Sequence, residues 1–424
     1  MIHYISTNGI GNAWIAAELE ILERKGIPFK LHSLRAPHQN FFKSEWHNNL
    51  NRATQVIYPL PKLQWATSIA VAPFLFGGRF FEVFFNAFLG KRESFRIRLL
   101  GVLHALVACH WARTLKSQEV DLIHAQWIQS SGTVGMYGAW LLGVPFSFTG
   151  HAADLFRERC ALEDKVRRAD FIVCISEFHR ELYKKLGATD DKLHIVYCGI
   201  DVHDFDFRPR PVNPARPKIL SVGRLVAKKG FDLLIDACRI LADRKVPFEC
   251  VIAGDGPLEK PLREQVEARC LQDSVIITGR PLLQAELPDF LAEGILFAQP
   301  CIWAKDNDVD GIPRTLMEAM ACGIPSISTH LVGIPDLIEH NISGLLVEPG
   351  TVTELANEIE RILKDSALAD RLARGGREMV ERKFDIDTCL DPLVDLFRSK
   401  LRHQPTPTKA EDLAGLEAHC EVAA

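Results

Sequence analysis

Short apolar runs rich in Val, Ile and Phe alternate along this chain with helical patterns of about ten to fifteen residues. Strands apolar on both faces must be covered on both sides, so the alternation demands parallel sheets sandwiched between helices and excludes β-sandwiches and helical bundles. The first series predicts strands over Ile2–Ser6, Phe29–Ser33, Asp121–Ala125, Phe146–Thr149, Phe171–Ile175 and Leu193–Val196. The stretch DFDFRPRPVNPARP then interrupts it, and its prolines forbid a continued helix or an inner strand. Afterwards the alternation restarts with strands at Lys218–Val222, Phe248–Ala253, Val275–Thr278, Ile295–Ala298 and Pro325–Thr329 and a helix over Phe231–Arg244.

The expected fold class is therefore α/β, with two doubly wound Rossmann-like domains in series. The expected boundaries are an N-terminal domain over 1–203, a Pro-rich linker over 204–217, a C-terminal domain over 218–384, an amphipathic helix within 385–403 and a disordered or weakly helical tail over 404–424. A length of 424 residues fits two or three domains. A formal charge of −4 supplies no broad basic field, which argues against nucleic acid as principal partner. The 11 cysteines form no C-x-x-C pair or zinc-spaced cluster and read as reduced thiols in a cytosolic compartment. The opening MIHYISTNGIG has no basic segment before an apolar stretch and reads as a first strand, not a signal peptide. Residues 122–153 lack Lys, Arg, Asp and Glu, yet Gln126, Gln129, Ser130, Ser131, several glycines and Pro145 break the run, so it parses as strand, helix, strand and not as a membrane span.

Residues 61–117 differ in texture. Eight Lys or Arg stand against two Glu, with phenylalanines at 74, 76, 80, 81, 84, 85, 88 and 95. Two readings are open. Either a helical insertion packs its Phe face on the N-terminal domain, or the phenylalanines enter lipid while Lys62, Arg79, Lys91, Arg92, Arg96 and Arg98 meet anionic headgroups.

Some chemistries lack their parts. Gly9 and Gly11 fit the first two positions of a G-x-G-x-x-G turn and stand as candidate donor-binding residues, but Trp14 occupies the third, and no P-loop is present. The strongest local signal is DGIPRTLMEAMACGIP, residues 310–325. Pro313 suits a first helical position, Glu318 falls one to two turns in, and Asp310 stays in the preceding loop. Such a helix start leaves N–H groups around Arg314, Thr315 and Leu316 for an anion, with an acid on either side for sugar hydroxyls. A second cluster, SVGRLVAKKGFDLL, ends a strand at Gly223 and offers Arg224 and Lys229, where open α/β sheets receive phosphates. IAGDGPL (252–258) and ITGRP (277–281) add two more strand-to-glycine turns.

In these motifs and their order the chain resembles the retaining GT-B glycosyltransferases of the large bacterial polysaccharide family, the exopolysaccharide and colanic-acid-type enzymes. The resemblance covers nearly everything from Lys218 to about Phe384. It implies that Arg224 and Lys229 bind the donor diphosphate, Glu318 the ribose and Asp310 the transferred sugar, and that the turn at Gly279 and Arg280 contacts the base. Asp310 stands where many members carry Glu. In the N-terminal half FTGHAADLF places His151 near the donor sugar, between a strand-terminal Gly and Asp154. NAWIAAELEILERKG is similar to the family's opening helix but lacks its Ser and Glu.

The implied function is transfer of a sugar from a nucleotide diphosphate sugar to a glycan or lipid-linked acceptor by front-face displacement. No cofactor or metal is called for. Arg224, Lys229 and the helix start neutralise the leaving group, and the acidic loop of Asp306, Asp308 and Asp310 has the spacing of a metal-binding D-x-D. The implied place is the cytoplasm, with peripheral membrane attachment through 61–117 if the lipid reading holds. A catalytically inactive nucleotide-sugar-binding scaffold and an NAD-dependent oxidoreductase are the alternatives.

Overall fold

The computed structural model describes residues 1–11, 13–37, 44–59, 61–91, 94–151, 155–156, 160–208 and 214–402. Arg92, Asp154, the middle of the 204–217 stretch and the 404–424 tail lie outside the described residues.

The first sheet holds seven strands: β1 (Ile2–Ser6), β2 (Phe29–Ser33), β3 (Gln55–Val56), β4 (Leu122–Gln126), β5 (Phe146–Thr149), β6 (Phe171–Cys174) and β7 (Leu193–Ile195). Their order is β3-β2-β1-β4-β5-β6-β7 and every pairing is parallel. The second holds β8 (Lys218–Val222), β9 (Glu249–Ala253), β10 (Val275–Ile277), β11 (Leu296–Ala298), β12 (Ser326–Thr329) and β13 (Leu345–Val347), all parallel, in the order β10-β9-β8-β11-β12-β13. Both sheets thus reverse direction beside their first strand. Strand order switches between β1 and β4 in one sheet and between β8 and β11 in the other, and a crevice opens at such points outside the strands' carboxyl ends. The expected strands fall in place with ends shifted by a residue. β3 and β13 escaped the sequence reading because the one is two exposed residues and the other three residues inside a glycine-flanked loop.

Residues 122–149 form strand, helix and strand, the helix spanning Ser130–Leu142. Its glycines let the helix Phe95–Leu115 approach closely, since a Cβ on Gly138 would stand 2.8 Å from the Trp111 ring. That neighbouring helix is long and apolar enough to cross a membrane, but half of its most apolar stretch is buried inside the protein. With Lys62–Phe76 and Gly78–Leu89 it forms the 61–117 insertion. Val83, Ala87 and Phe76 pack inward, while Phe74, Phe81, Phe85, Phe88 and Phe95 are exposed, Phe74 by 90% and Phe95 by 80%. The insertion is only partly core.

The last described helix, Asp391–Lys400, returns to the first sheet. Phe397 packs against His124 and Phe171, and Leu393 and Val394 join the cluster around Ile2, Tyr4 and Leu122. Each such buried side chain contributes about 1.5–3 kcal/mol. The chain crosses between the sheets twice, and the crossings pair: Ile200 N–H donates to the Phe384 carbonyl and Ile386 N–H to the Ile200 carbonyl, each at 2.9 Å.

Candidate functional site

A cavity of about 260 Å³ lies between the carboxyl ends of the two sheets. Trp14 follows β1, Trp127 follows β4 and His151 follows β5. From the second sheet come Lys228 and Lys229 after β8 and Asp310, Pro313 and Arg314 after β11. The two walls are the two topological switch points set face to face.

On the second wall the β8 turn is pinned by Gly230. Its φ is +67°, and a Cβ there would lie 1.9 Å from the Pro300 carbonyl oxygen, so no side chain fits and the preceding lysines are thrown toward the loop after β11. Lys229 Nζ lies 2.8 Å from Asp310 Oδ2, and Lys228 Nζ 3.0 Å from Asp310 Oδ1 and 3.2 Å from Asp308 Oδ1. Burial alone would raise the Asp310 carboxyl, but the Lys229 and Lys228 ammonium groups outweigh it and hold it below the ordinary value. Burial would likewise lower the Lys229 ammonium, and Asp310 reverses that. A carboxylate has about four lone-pair directions, so Asp310 still has acceptor capacity for a hydroxyl in the cavity.

The helix Arg314–Ala321 begins one residue later than expected, with Pro313 as its cap residue. One of the three expected free donors is taken: Leu316 N–H donates to the Pro313 carbonyl at 3.1 Å, because the first turn tightens. Among the described residues no backbone carbonyl accepts from Arg314 or Thr315 N–H. Glu318 is buried, and its Oε1 accepts from Arg314 Nε at 2.9 Å and Gln284 Nε2 at 3.2 Å. Thr315 Oγ1 donates to Gln299 Oε1 at 3.1 Å, and Gln299 is held in turn by donating to the Val222 carbonyl.

On the first wall His151 Nε2 lies 3.0 Å from Gln126 Oε1. Gln126 Nε2 donates to Glu18 Oε2 at 3.0 Å, and Tyr4 Oη donates to Glu18 Oε1 at 2.7 Å. Burial lowers the His151 imidazole to about 4, so the ring is neutral near pH 7. Burial also raises the Glu18 carboxyl to about 7, against the lowering effect of its two hydrogen bonds. The His151 ring sits 4.7 Å from Trp127 and 5.5 Å from Trp14, centroid to centroid.

Of the residues named from sequence, His151, Lys229, Asp310 and Arg314 line the cavity, and Gly223 lies against Lys229, where a Cβ would come 3.3 Å from Lys229 Cε. Thr315 and Glu318 stand behind Arg314. Arg224 is an exposed side chain on the β8 turn and not part of the cavity lining. Gly9 and Gly11 form the turn after β1, and Gly279 and Arg280 the turn after β10, where Arg280 pairs with Glu286 at 3.1 Å; all four stand outside the lining. Sequence reasoning missed Lys228, Gln284, Gln126, Glu18 and Trp127. Lys228 adjoins a named lysine. Trp127 carries a positive φ of 72° at a strand end, a conformation invisible in composition.

Two doubly wound domains facing across a cleft define the GT-B architecture. Residues 202–379 match the family described as glycosyl transferases group 1, and residues 78–204 match Glycosyltransferase Family 4. The chain is 34% identical over 254 residues to the amylovoran biosynthesis glycosyltransferase AmsK of Erwinia amylovora, covering 58% of this chain and 62% of AmsK. It is 38% identical over 238 residues to the putative colanic acid biosynthesis glycosyltransferase WcaL of Escherichia coli K12, covering 55% and 57%. The match thus spans about three-fifths of these curated relatives. In structure it superposes on Anabaena HepE, crystallised in complex with UDP, with a TM-score of 0.69, 17% identity, and coverage of 94% of this chain and 99% of HepE. Residues 202–379 thus form a domain of the glycosyl transferases group 1 family, in a chain of GT-B fold.

Proposed function

We propose that this protein transfers a glycosyl group from a nucleotide diphosphate sugar to a glycan or lipid-linked saccharide during polysaccharide assembly, with retention of configuration. The observation that carries the reading is the single cavity in which Lys229, Asp310 and Arg314 of one domain meet His151 of the other. Lys229, with Arg224 reaching from the same turn, serves the diphosphate, together with the N–H groups of Arg314 and Thr315. Glu318 takes the ribose hydroxyls, the turn at Gly279 and Arg280 the base, and Asp310 and His151 the sugar.

In a front-face displacement the bond from the anomeric carbon to the phosphate oxygen breaks as the acceptor oxygen bonds on the same face. The acceptor's proton passes to the departing phosphate. Lys229 and the helix N-terminus stabilise the charge that develops there. Among the described residues Asp310 is the only carboxylate lining the cavity, and its two lysine contacts suit it to positioning a hydroxyl better than to attacking carbon. Because Asp308 and Asp310 are already paired with lysines, the acidic loop is read as part of a cationic phosphate site and not as a metal ligand set.

Names of the relatives as exopolysaccharide glycosyltransferases support the pathway class. The test is nucleotide release and glycosyl transfer with UDP-, GDP- and ADP-sugars in excess chelator. Turnover with one donor supports the reading; inertness with every donor, with or without Mg²⁺, favours a nucleotide-sugar-binding scaffold.

A specific observation favours membrane attachment as well. Phe81, Phe85, Phe88 and Leu89 leave one face of the helix Gly78–Leu89 exposed, and Arg79 and Arg96 stand exposed nearby in sequence. Such a surface fits the headgroup boundary of an anionic bilayer and supports the reading of a peripheral enzyme held beside a lipid-linked acceptor. All ten described cysteines are free thiols, in keeping with that compartment.

A further inference from the structure

The first wall of the cavity contains a buried relay that the proposed chemistry does not by itself require. Gln126 is fully buried between a carboxyl group and an imidazole. Above pH 7 Glu18 is ionised, and a carboxylate only accepts hydrogen bonds, so there Gln126 must turn its NH₂ toward Glu18 and its carbonyl toward His151. A carbonyl also only accepts. The nitrogen facing it, Nε2, must therefore carry the proton of the neutral ring. Tyr4 holds the second oxygen of Glu18, and the other side chains felt around that carboxyl are the neutral thiols of Cys198 and Cys389. Nδ1 is left with the lone pair. Among the described residues it has no protein partner, and it is not one of the sealed, unpartnered atoms of the interior.

We infer that Glu18 and Gln126 are positioning residues that lock His151 as its Nε2–H tautomer and so present Nδ1 to the cleft as an acceptor for a hydroxyl of the transferred sugar. The inference rests on the reading of the cavity as the donor-sugar site. Trp127 and Trp14 clamp the ring, so its orientation and its protonation are set by different neighbours. With Asp310 across the cavity, the sugar would meet hydrogen-bond acceptors from both domains, which favours hydroxyl groups over bulk or charge.

Nitrogen-15 NMR of histidine-labelled protein at pH 8 reads this directly, with His151 assigned by the signal lost in His151→Asn. Wild type is expected to show Nε2 protonated and Nδ1 bare. In Glu18→Gln the new amide must turn its NH₂ toward Gln126, which flips and presents NH₂ to the ring, so the tautomer exchanges. Gln126→Met, which removes the acceptor and keeps the volume, should give a mixture. Both variants should bind UDP-glucose about tenfold more weakly while holding UDP unchanged, the loss of one hydrogen bond to the sugar alone; GDP-mannose and GDP replace the pair if they bind more tightly. An Nδ1–H or doubly protonated ring in wild type overturns the proposal, as does an unchanged spectrum in Glu18→Gln or an equal loss of UDP and UDP-glucose. Failure of wild type to bind any nucleotide sugar would overturn the function, while the nitrogen spectrum still decides the tautomer.

Discussion

The Lys229 ammonium stands 2.8 Å from the Asp310 carboxylate, so the group expected to hold the leaving phosphate and the group expected to hold the sugar neutralise each other across the cleft. Both side chains are largely buried, at 13% and 15% exposure. A pair removed this far from water costs more to break than a surface ion pair. Lys229→Ala should therefore lower kcat/KM by about a hundredfold through lost charge stabilisation, and it should also lower Tm by leaving Asp310 to Lys228 alone. Asp310→Asn should spare nucleotide affinity and weaken the sugar nucleotide. Kinetics and calorimetry on both variants check this, and near-normal turnover in Lys229→Ala would remove the residue from the mechanism.

Glu318 is read as the ribose contact, and its Oε1 is already fixed by Arg314 and Gln284. Glu318→Gln should weaken the free nucleotide diphosphate and the sugar nucleotide in parallel, by about tenfold for a lost charge-assisted bond. Gln284→Ala should follow the same pattern with a smaller change. Titration calorimetry with both ligands would expose a sugar-specific effect, which would mean that Glu318 and Asp310 have exchanged roles.

Glu18 makes stability depend on pH in an unusual direction. Its carboxyl sits near 7 in the fold and near 4.5 as an ordinary glutamate, so between those values the folded state holds the proton that the unfolded chain releases. Stability from this group is complete below about 4.5 and falls as pH rises to about 7, by about 3 kcal/mol at most. Glu18→Gln should flatten that decline, so the variant gains on wild type from pH 5 to pH 8 whatever its offset. Parallel Tm curves across the window would show that Glu18 does not titrate there.

Phe81, Phe85 and Phe88 should anchor the protein to anionic vesicles. Flotation with phosphatidylglycerol vesicles at low salt is expected to recover wild type, with binding falling steeply as salt rises. Changing the three phenylalanines to Ser should release it, since each inserted ring contributes about 25 cal/mol per Å² of apolar surface buried. Arg96→Glu should weaken binding less and mainly at low salt. A wild-type chain that stays with the soluble fraction would make this face a docking site for a protein or a soluble acceptor instead.

The strands and the glycine turns were legible because their signals are local. Apolar runs must be buried, and a helix must start where Pro313 breaks the preceding chain. The end of the 61–117 question was not legible. Phe76 and Phe81 look alike in sequence, and only the packing of the helices Lys62–Phe76 and Gly78–Leu89 against Phe95–Leu115 decides that one is buried and the other exposed. Lys228 joins the site only because the loop after β11 brings Asp308 and Asp310 against it.

By itself the sequence determined two parallel sheets, the turns at their carboxyl ends and the acidic helix start, since each follows from chain stiffness, capping and burial within a few residues. The tertiary structure alone decided that these ends face each other, that Asp385 returns the chain beside Ile200, and that Glu18 meets Gln126 from 108 residues away. Such pairings depend on strand order and on the crossing between domains, which long-range packing selects and no local spacing encodes.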